Sequence, residues 1–379
     1  VSAALRYGIV GAGYFGRELG RLIDGIDGAV VTTVYSPEHA TDLAEELGCS
    51  VAASVDDLAA QVDVVVVASP NSAHLEPVLR AAENGAHVFC EKPIALSYAD
   101  CDAMVSACER AGVVFMAGHV MHFMPGVRRT AALIADGAIG DVVVARSIRT
   151  GWEDGSAAPG WKKDRATSGG HLYHHIHELD VLQHLIAPAE RATMIGGAVP
   201  HAGSRTGNED ALLLASLAFP GDRYATLDWG SVFRRPQHEV TIQGTLGYVT
   251  IDMHDVGVTL TTADRVERFP LHTAEEDAER TAEHAGTASG GGVVYGDPTV
   301  RPPRWLRSAM QAELDYFHGL VAGTHEVDPA LVSLTDGSAA RASIATADAL
   351  TLSMAEGRTV AVNEITGAGR ALASAAADR

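Results

Sequence analysis

"LRYGIVGAGYFG" occupies residues 5–16, and its reading decides the fold. Leu5 to Val10 is a short apolar run suited to a buried strand. Gly11-Ala12-Gly13-Tyr14-Phe15-Gly16 follows at once, and a helical pattern continues through Leu22. In a G-x-G-x-x-G turn between strand and helix, the first glycine makes the tight turn. The second lets a pyrophosphate approach the backbone, and the third lets helix and strand pack closely. The phosphates then sit on the positive end of the helix. Glycine-rich turns are common in general, but one placed between a strand and a helix predicts a dinucleotide site. Gly11, Gly13, Tyr14, Phe15 and Gly16 are its expected lining.

Outward from this turn the pattern alternates. "AVVTTVY" (29–35) reads as a strand and "PEHATDLAEELG" (37–48) as a helix opened by proline and closed by glycine. "VDVVVVASP" (62–70) is apolar almost throughout, as a parallel strand covered on both faces should be. A helix (72–84), the strand "HVFCEKP" (87–93), a helix (98–111) and the strand "VVFMAGH" (113–119) complete the series. Alternating units of this length predict a doubly wound parallel sheet, a Rossmann domain over residues 1–122. The second strand ends Tyr35-Ser36-Pro37, with neither the acid that holds a ribose 2′-hydroxyl nor an arginine for a 2′-phosphate. Ser36 suits either ribose, so NAD and NADP both stay open.

The chain of 379 residues exceeds what one hydrophobic core usually serves, which predicts a second domain over 123–379. There a helix (125–136) leads into "DVVVARSIRT" (141–150). Strand patterns follow at 211–219, 223–230, 238–244, 247–253, 257–262 and 264–270. The expectation is an α+β domain with a large, mainly antiparallel open sheet and helices on one face. Residues 275–303, rich in Glu, Ala, Gly and Pro, read as a long loop with an "SGGG" hinge, either a lid or dimer arm or a segment without fixed structure. The net charge of −20 argues against nucleic acid and anionic membrane surfaces and favours small neutral or cationic ligands. Cys49, Cys90, Cys101 and Cys108 include no C-x-x-C pair, which predicts reduced thiols and a cytoplasmic setting. The first apolar run is short and glycine-broken, predicting no signal peptide, and no stretch approaches a membrane span.

Two motifs carry a resemblance. Ser69-Pro70-Asn71 with His74 follows one strand, and Glu91-Lys92-Pro93 closes the next. With "IADGAIGDVV" (134–143), "VTIQGTLGYVTID" (240–252) and "ELDYF" (313–317), the chain resembles the glucose–fructose oxidoreductase / inositol dehydrogenase (Gfo/Idh/MocA) family of nicotinamide enzymes over nearly its whole length. The resemblance implies that Ser69, Pro70, Asn71, His74, Glu91 and Lys92 border the cofactor. It places Lys92 beside the nicotinamide ribose and the reacting hydroxyl, where an ammonium favours a developing alkoxide. It also implies that the open sheet pairs between subunits in a homodimer or homotetramer.

The family pattern then points to "SGGHLYHHIHELD" (168–180). Gly169 and Gly170 supply its glycines, and His177 and Asp180 keep its histidine–aspartate spacing. Tyr173 stands where the family has an aspartate. In one continuous helix positions 173, 177 and 180 share a face. His177 is the expected general base, and Tyr173 either relays a proton or orients the substrate. His174 is placed to replace part of the lost acid's role, while His171 and His175 read as structural or solvated. Histidines at i and i+4 suit zinc, but H-E-x-x-H is absent and the resembling chemistry is metal-free, so no metal is expected. His119 and His122 are expected to line the same cleft. Trp161, Lys162 and Lys163 are placed to close over a sugar ring, with Asp180 beside it.

The leading expectation is NAD(P)-dependent oxidation of a secondary hydroxyl on a sugar, cyclitol or glycoside. A second uses the oxidation transiently, so that an acidified C–H permits elimination before the hydride returns. A third, a non-catalytic sugar or dinucleotide sensor, is disfavoured by the intact Glu91-Lys92-Pro93 and His177.

Overall fold

The computed structural model describes residues 4–152, 161–199, 207–253, 257–279, 282 and 301–367. By contact the chain divides into two units. The described parts of Val1–Phe123 and Gly292–Arg341 form the first, and those of Met124–Gly291 and Ala342–Arg379 the second.

The first unit is built on six parallel strands: β1 (Leu5–Val10), β2 (Ala29–Tyr35), β3 (Ser50–Val51), β4 (Val64–Val67), β5 (His87–Glu91) and β6 (Phe115–Gly118). Their spatial order is β3-β2-β1-β4-β5-β6. Strand order therefore reverses between β1 and β4, and in such sheets ligands bind outside the carboxyl ends at that reversal. All four valines of β4 are buried, as a strand covered on both faces requires. The second helix starts at Ala40, three residues after Pro37, so the proline lies outside it. β3 and the short helix Val55–Ala59 escaped the sequence pattern. β3 is two exposed residues long, and the helix is announced only by Ser54, whose hydroxyl accepts from the Asp57 N–H at 3.0 Å.

Residues 301–341 pack with this unit, whereas the sequence pattern had given all of 123–379 to the second domain. The helix Arg304–Val321 carries Phe317 onto Phe89, with ring centres 5.7 Å apart, and His318 Nδ1 to the Tyr7 hydroxyl at 2.9 Å. Arg301 grips the buried Glu18 of the first helix through two guanidinium nitrogens.

The second unit is a nine-stranded mixed sheet. Its strands are β7 (Val142–Trp152), β8 (Arg191–Gly197), β9 (Leu212–Phe219), β10 (Arg223–Gly230), β11 (Val232–Gly244), β12 (Gly247–Asp252), β13 (Val258–Thr262), β14 (Val266–Phe269) and β15 (Val360–Ala361). The order is β14-β13-β12-β11-β7-β10-β9-β8-β15, with β7 and β10 parallel and the other pairs antiparallel. β8 and β15 were not legible in the sequence. Val240, Ile242, Val249, Ile251, Leu227 and Trp229 are buried on the face covered by the helices Pro125–Ala135 and His177–Leu185. The opposite face carries a register row of Tyr224, Val144, Gln243 and Tyr248, and beside it Thr226, Arg146, Thr241 and Thr250. Arg146 pairs there with Asp228 at 2.6 Å. That face is aromatic and polar by turns. Most of residues 275–303, read above as a long loop, lies outside the described residues.

Candidate active site

The nucleotide turn has the geometry its spacing predicted. Gly11 takes φ +104°, and a Cβ there would lie 2.6 Å from the Ala68 backbone, so only glycine fits. A Cβ on Gly16 would lie 1.8 Å from the Gly11 carbonyl oxygen, which is the close packing assigned to the third glycine. Beside Gly13 the protein leaves open space, with nothing within 4 Å of a built Cβ. The helix Tyr14–Asp24 that starts here has no side-chain cap and no acid in its first turn. Open room at the start of a helix that has neither a side-chain cap nor an acid in its first turn is what a pyrophosphate needs. The residues present therefore fit an NAD-type cofactor. Ser36 stands at the exit of β2, and Arg17, the nearest cation after the turn, is held by Glu46 at 2.7 Å.

The two loops that follow β4 and β5 are tied together by His74. It is buried, with Nδ1 3.0 Å from the Pro93 carbonyl and Nε2 2.9 Å from the Ser69 carbonyl. A neutral imidazole carries a single N–H and can donate to only one of them at a time. Burial lowers its pKa, against the pull of those carbonyls. His74 thus braces Pro70-Asn71 against the cis Lys92-Pro93 turn from inside. Ser69 donates its hydroxyl to the Ala73 carbonyl at 3.0 Å, and Asn71 opens a 3-10 turn and is buried. Glu91 accepts from the Lys92 backbone N–H at 3.2 Å, and desolvation pushes its carboxyl up to about 7, against the charge of Lys92. His119 and His122 lie just past β6, buried, with ring centres 6.1 Å apart.

In the second unit the histidine stretch is two short helices, His171–His174 and His177–Leu185, broken at His175 and Ile176. Positions 173, 177 and 180 therefore do not lie on one uninterrupted helix. Tyr173 and Asp180 nevertheless both turn to the helix Ser338–Glu356. The Tyr173 hydroxyl donates to Asp348, and Asp180 accepts from the Ser343 hydroxyl at 3.1 Å. Both are buried. Burial, then the charge of Asp348, raises the Tyr173 pKa well above its ordinary value.

His174, His175 and His177 are half-exposed, while His171 is buried beneath. The His171 and His175 rings lie 4.5 Å apart, and His174 meets His175 edge-on at 4.7 Å. Burial, then Arg149 and Lys163, lowers His171 to about 3, so its ring is neutral. Next to His177, the fully buried Glu178 takes Arg149 Nη1 at 3.0 Å, His238 Nε2 at 2.6 Å and Trp229 Nε1 at 3.4 Å. Burial would raise Glu178, but Arg149 and His238 outweigh it and hold the carboxyl well below the usual range. This anchored carboxylate was within the quoted stretch and was passed over. Its partners come from strands far along the chain, and no local pattern announces them. Trp161 and Lys162 share a 3-10 turn, with the Trp161 ring edge-on to His174 at 6.1 Å. Among the described residues no three His, Cys, Asp or Glu side chains converge as a metal site, and no helix is long and apolar enough to cross a membrane.

Comparison with known proteins puts this geometry in a family. The oxidoreductase family's NAD-binding Rossmann fold matches residues 5–119, and that family's C-terminal alpha/beta domain matches 131–362. The chain is 51% identical over 367 residues to a 2,7-anhydro-N-acetylneuraminate hydratase of Mediterraneibacter gnavus, covering 96% of this chain and 98% of that one. To the Escherichia coli protein of the same name it is 46% identical, covering 95% and 98%. Among solved structures, levoglucosan dehydrogenase in complex with NADH superposes with a TM-score of 0.76 at 20% identity, over 95% of this chain and 99% of that one, a likeness of fold. With both domains matched in order, the chain belongs to the Gfo/Idh/MocA family of NAD-binding oxidoreductases.

Proposed function

We propose that the protein is a redox-neutral, NAD-dependent enzyme that opens the anhydro bond of 2,7-anhydro-N-acetylneuraminate or a close acidic relative. What supports this reading is the similarity, over nearly full length on both sides, to two hydratases of that substrate. Of the two enzymatic routes weighed from the sequence, it favours transient oxidation over net dehydrogenation. The substrate's own chemistry makes the route plausible in detail. The carbon bearing the anhydro oxygen, C2, is two carbons from the secondary hydroxyl at C4, with the C3 methylene between.

Bound NAD would supply a reversible hydride acceptor. Lys92 would hold the C4 hydroxyl, and His177 would take its proton as hydride leaves C4. The C3–H bond, now next to a ketone, becomes acidic. Because His177 already holds the C4 proton, the half-exposed His174 would remove the C3 proton while the C2–O7 bond breaks, and would pass it to O7. Water would then add across C2 and C3, and His177 would return its proton to the C4 oxygen as the ketone is reduced back to the alcohol. The sum is substrate plus one water, with the nicotinamide restored. Tyr173, turned toward Asp348, would act by positioning the histidine segment.

The test is a single incubation of protein, substrate and a catalytic amount of NAD in deuterated water. The reading expects free N-acetylneuraminate carrying deuterium at C3, formed in many turnovers without accumulating NADH. Stoichiometric NADH from polyols or sugars, with the anhydro compound untouched, would make the protein a net dehydrogenase.

A further inference from the structure

Four cations crowd the corner of the second unit between the end of β7 and the first histidine helix. Three have acids. Arg149 meets Glu178 at 3.0 Å, Lys163 meets Glu209, and Arg165 meets Asp210 at 2.8 Å. Lys162 has no carboxylate partner among the described residues. Its ammonium lies 6.0 Å from the centre of the Trp161 ring, at the outer limit of a cation–π contact. Burial lowers its pKa, so the charge is partly stripped of water. Trp161 is 43% exposed and meets the half-exposed His174 edge-on, so ring, ammonium and imidazole stand together at an accessible surface. A cation with little water and, among the described residues, no acid beside it is costly to keep unless an anion arrives to pair with it.

We propose that Lys162 is the group that recognises the carboxylate of the acidic sugar, with Trp161 as the platform for its ring. The assignment rests on the functional reading above and deepens it. A neutral polyol or cyclitol would give such a lysine no counterion. The need for a local cation is also greater here than in most proteins, because a chain of net charge −20 repels an anionic substrate. Lys163, Arg149 and Arg165 are already neutralised by their own acids. Lys162 is thus a specificity residue: it would hold the C1 carboxylate, which is bonded to the same C2 whose bond to O7 breaks, and would move no proton itself.

Steady-state kinetics with 2,7-anhydro-N-acetylneuraminate and with its methyl ester separates the outcomes. A charge-assisted pair should make wild-type kcat/KM for the acid about 10- to 100-fold higher than for the ester. Lys162→Met should bring that ratio close to one, mainly by raising KM for the acid. Lys162→Arg should keep most of it, and NAD titration should report an intact cofactor site in both variants. If Lys162→Met still prefers the acid as wild type does, the lysine is not the carboxylate's partner, whatever the enzyme's function. If wild type turns over neither compound, the functional reading falls and takes this assignment with it.

Discussion

Lys92 stands next to a carboxyl that desolvation has moved toward neutrality, and its own ammonium is what keeps Glu91 from moving further. That relation predicts a pH effect. Glu91 has a folded pKa raised from 4.5 to about 7, so the folded state holds its proton more tightly than the unfolded chain. The associated stability is fully present below about pH 4.5 and is lost as pH rises through about 7. Cofactor-free Glu91→Gln should lack this loss, which melting temperatures across that window would read. Lys92→Ala should lower turnover by about 10²–10³, the usual effect of removing one preorganised donor, while NAD still binds. Retention of near-normal turnover would take Lys92 out of the chemistry. The histidines separate in the same way. His177→Ala should lose rate with little loss of fold, whereas His171→Ala removes a buried, neutral ring and should lower the melting temperature more than the rate. Tyr173→Phe deprives the Asp348 carboxylate of a donor and should cost about 1–3 kcal/mol of stability, with a smaller loss of rate than His177→Ala. Equal rate losses at 171, 173 and 177 would refute this division of labour. Motif spacing could nominate all of these residues but could not assign them partners. Tyr173 and Asp348 are 175 positions apart, and nothing near either one announces the other.

At the scale of elements, the glycines of the nucleotide turn give the cleanest contrast. A side chain on Gly13 would enter space that the protein leaves empty, so Gly13→Val should fold normally and lose NAD affinity. A methyl on Gly16 would collide with the Gly11 carbonyl oxygen at 1.8 Å, so Gly16→Ala should lower the melting temperature first. Unchanged NAD titration in Gly13→Val would show that the turn has been misread. Elements with strong periodicity were legible: the helix over 98–111 and the strand over 29–35 match residue for residue. Those held by distant partners were not. The break at His175–Ile176 interrupts a sequence that is helical in pattern, and its two halves are fixed from outside. Asp348 and Ser343 hold one side, and Arg149 and His238 grip Glu178 on the other. β15 is two residues long and exists because Val360 and Ala361 pair with β8. The sequence pattern did not show where the helix Arg304–Val321 belongs, because Phe317 and His318 find their contacts about 230 and 310 residues upstream.

For the whole molecule, the open face of the nine-stranded sheet bears on assembly. A free face of this size normally needs either a polar surface or a partner. Here Tyr224 and Tyr248 are 46% and 41% exposed, and Ile195 is 65% exposed. Among them sit Thr226, Thr241, Thr250 and the Arg146–Asp228 pair. Interfaces are enriched in tyrosine and arginine and depleted in lysine and glutamate, and this face has that composition. An isologous contact would set each tyrosine row against its symmetry mate, which favours a homodimer or homotetramer built through the sheet. The expected outcome is therefore specific to the tyrosines. Wild-type protein should show a dimeric or tetrameric mass by light scattering at micromolar concentration. Tyr224→Glu combined with Tyr248→Glu should put like charges on both sides of the contact and shift the mass toward monomer, with NAD binding retained because the nucleotide turn belongs to the other unit. A wild-type monomer would leave the sheet face simply solvated, its threonines and ion pair sufficient cover. An oligomer indifferent to both substitutions would move the interface to another surface.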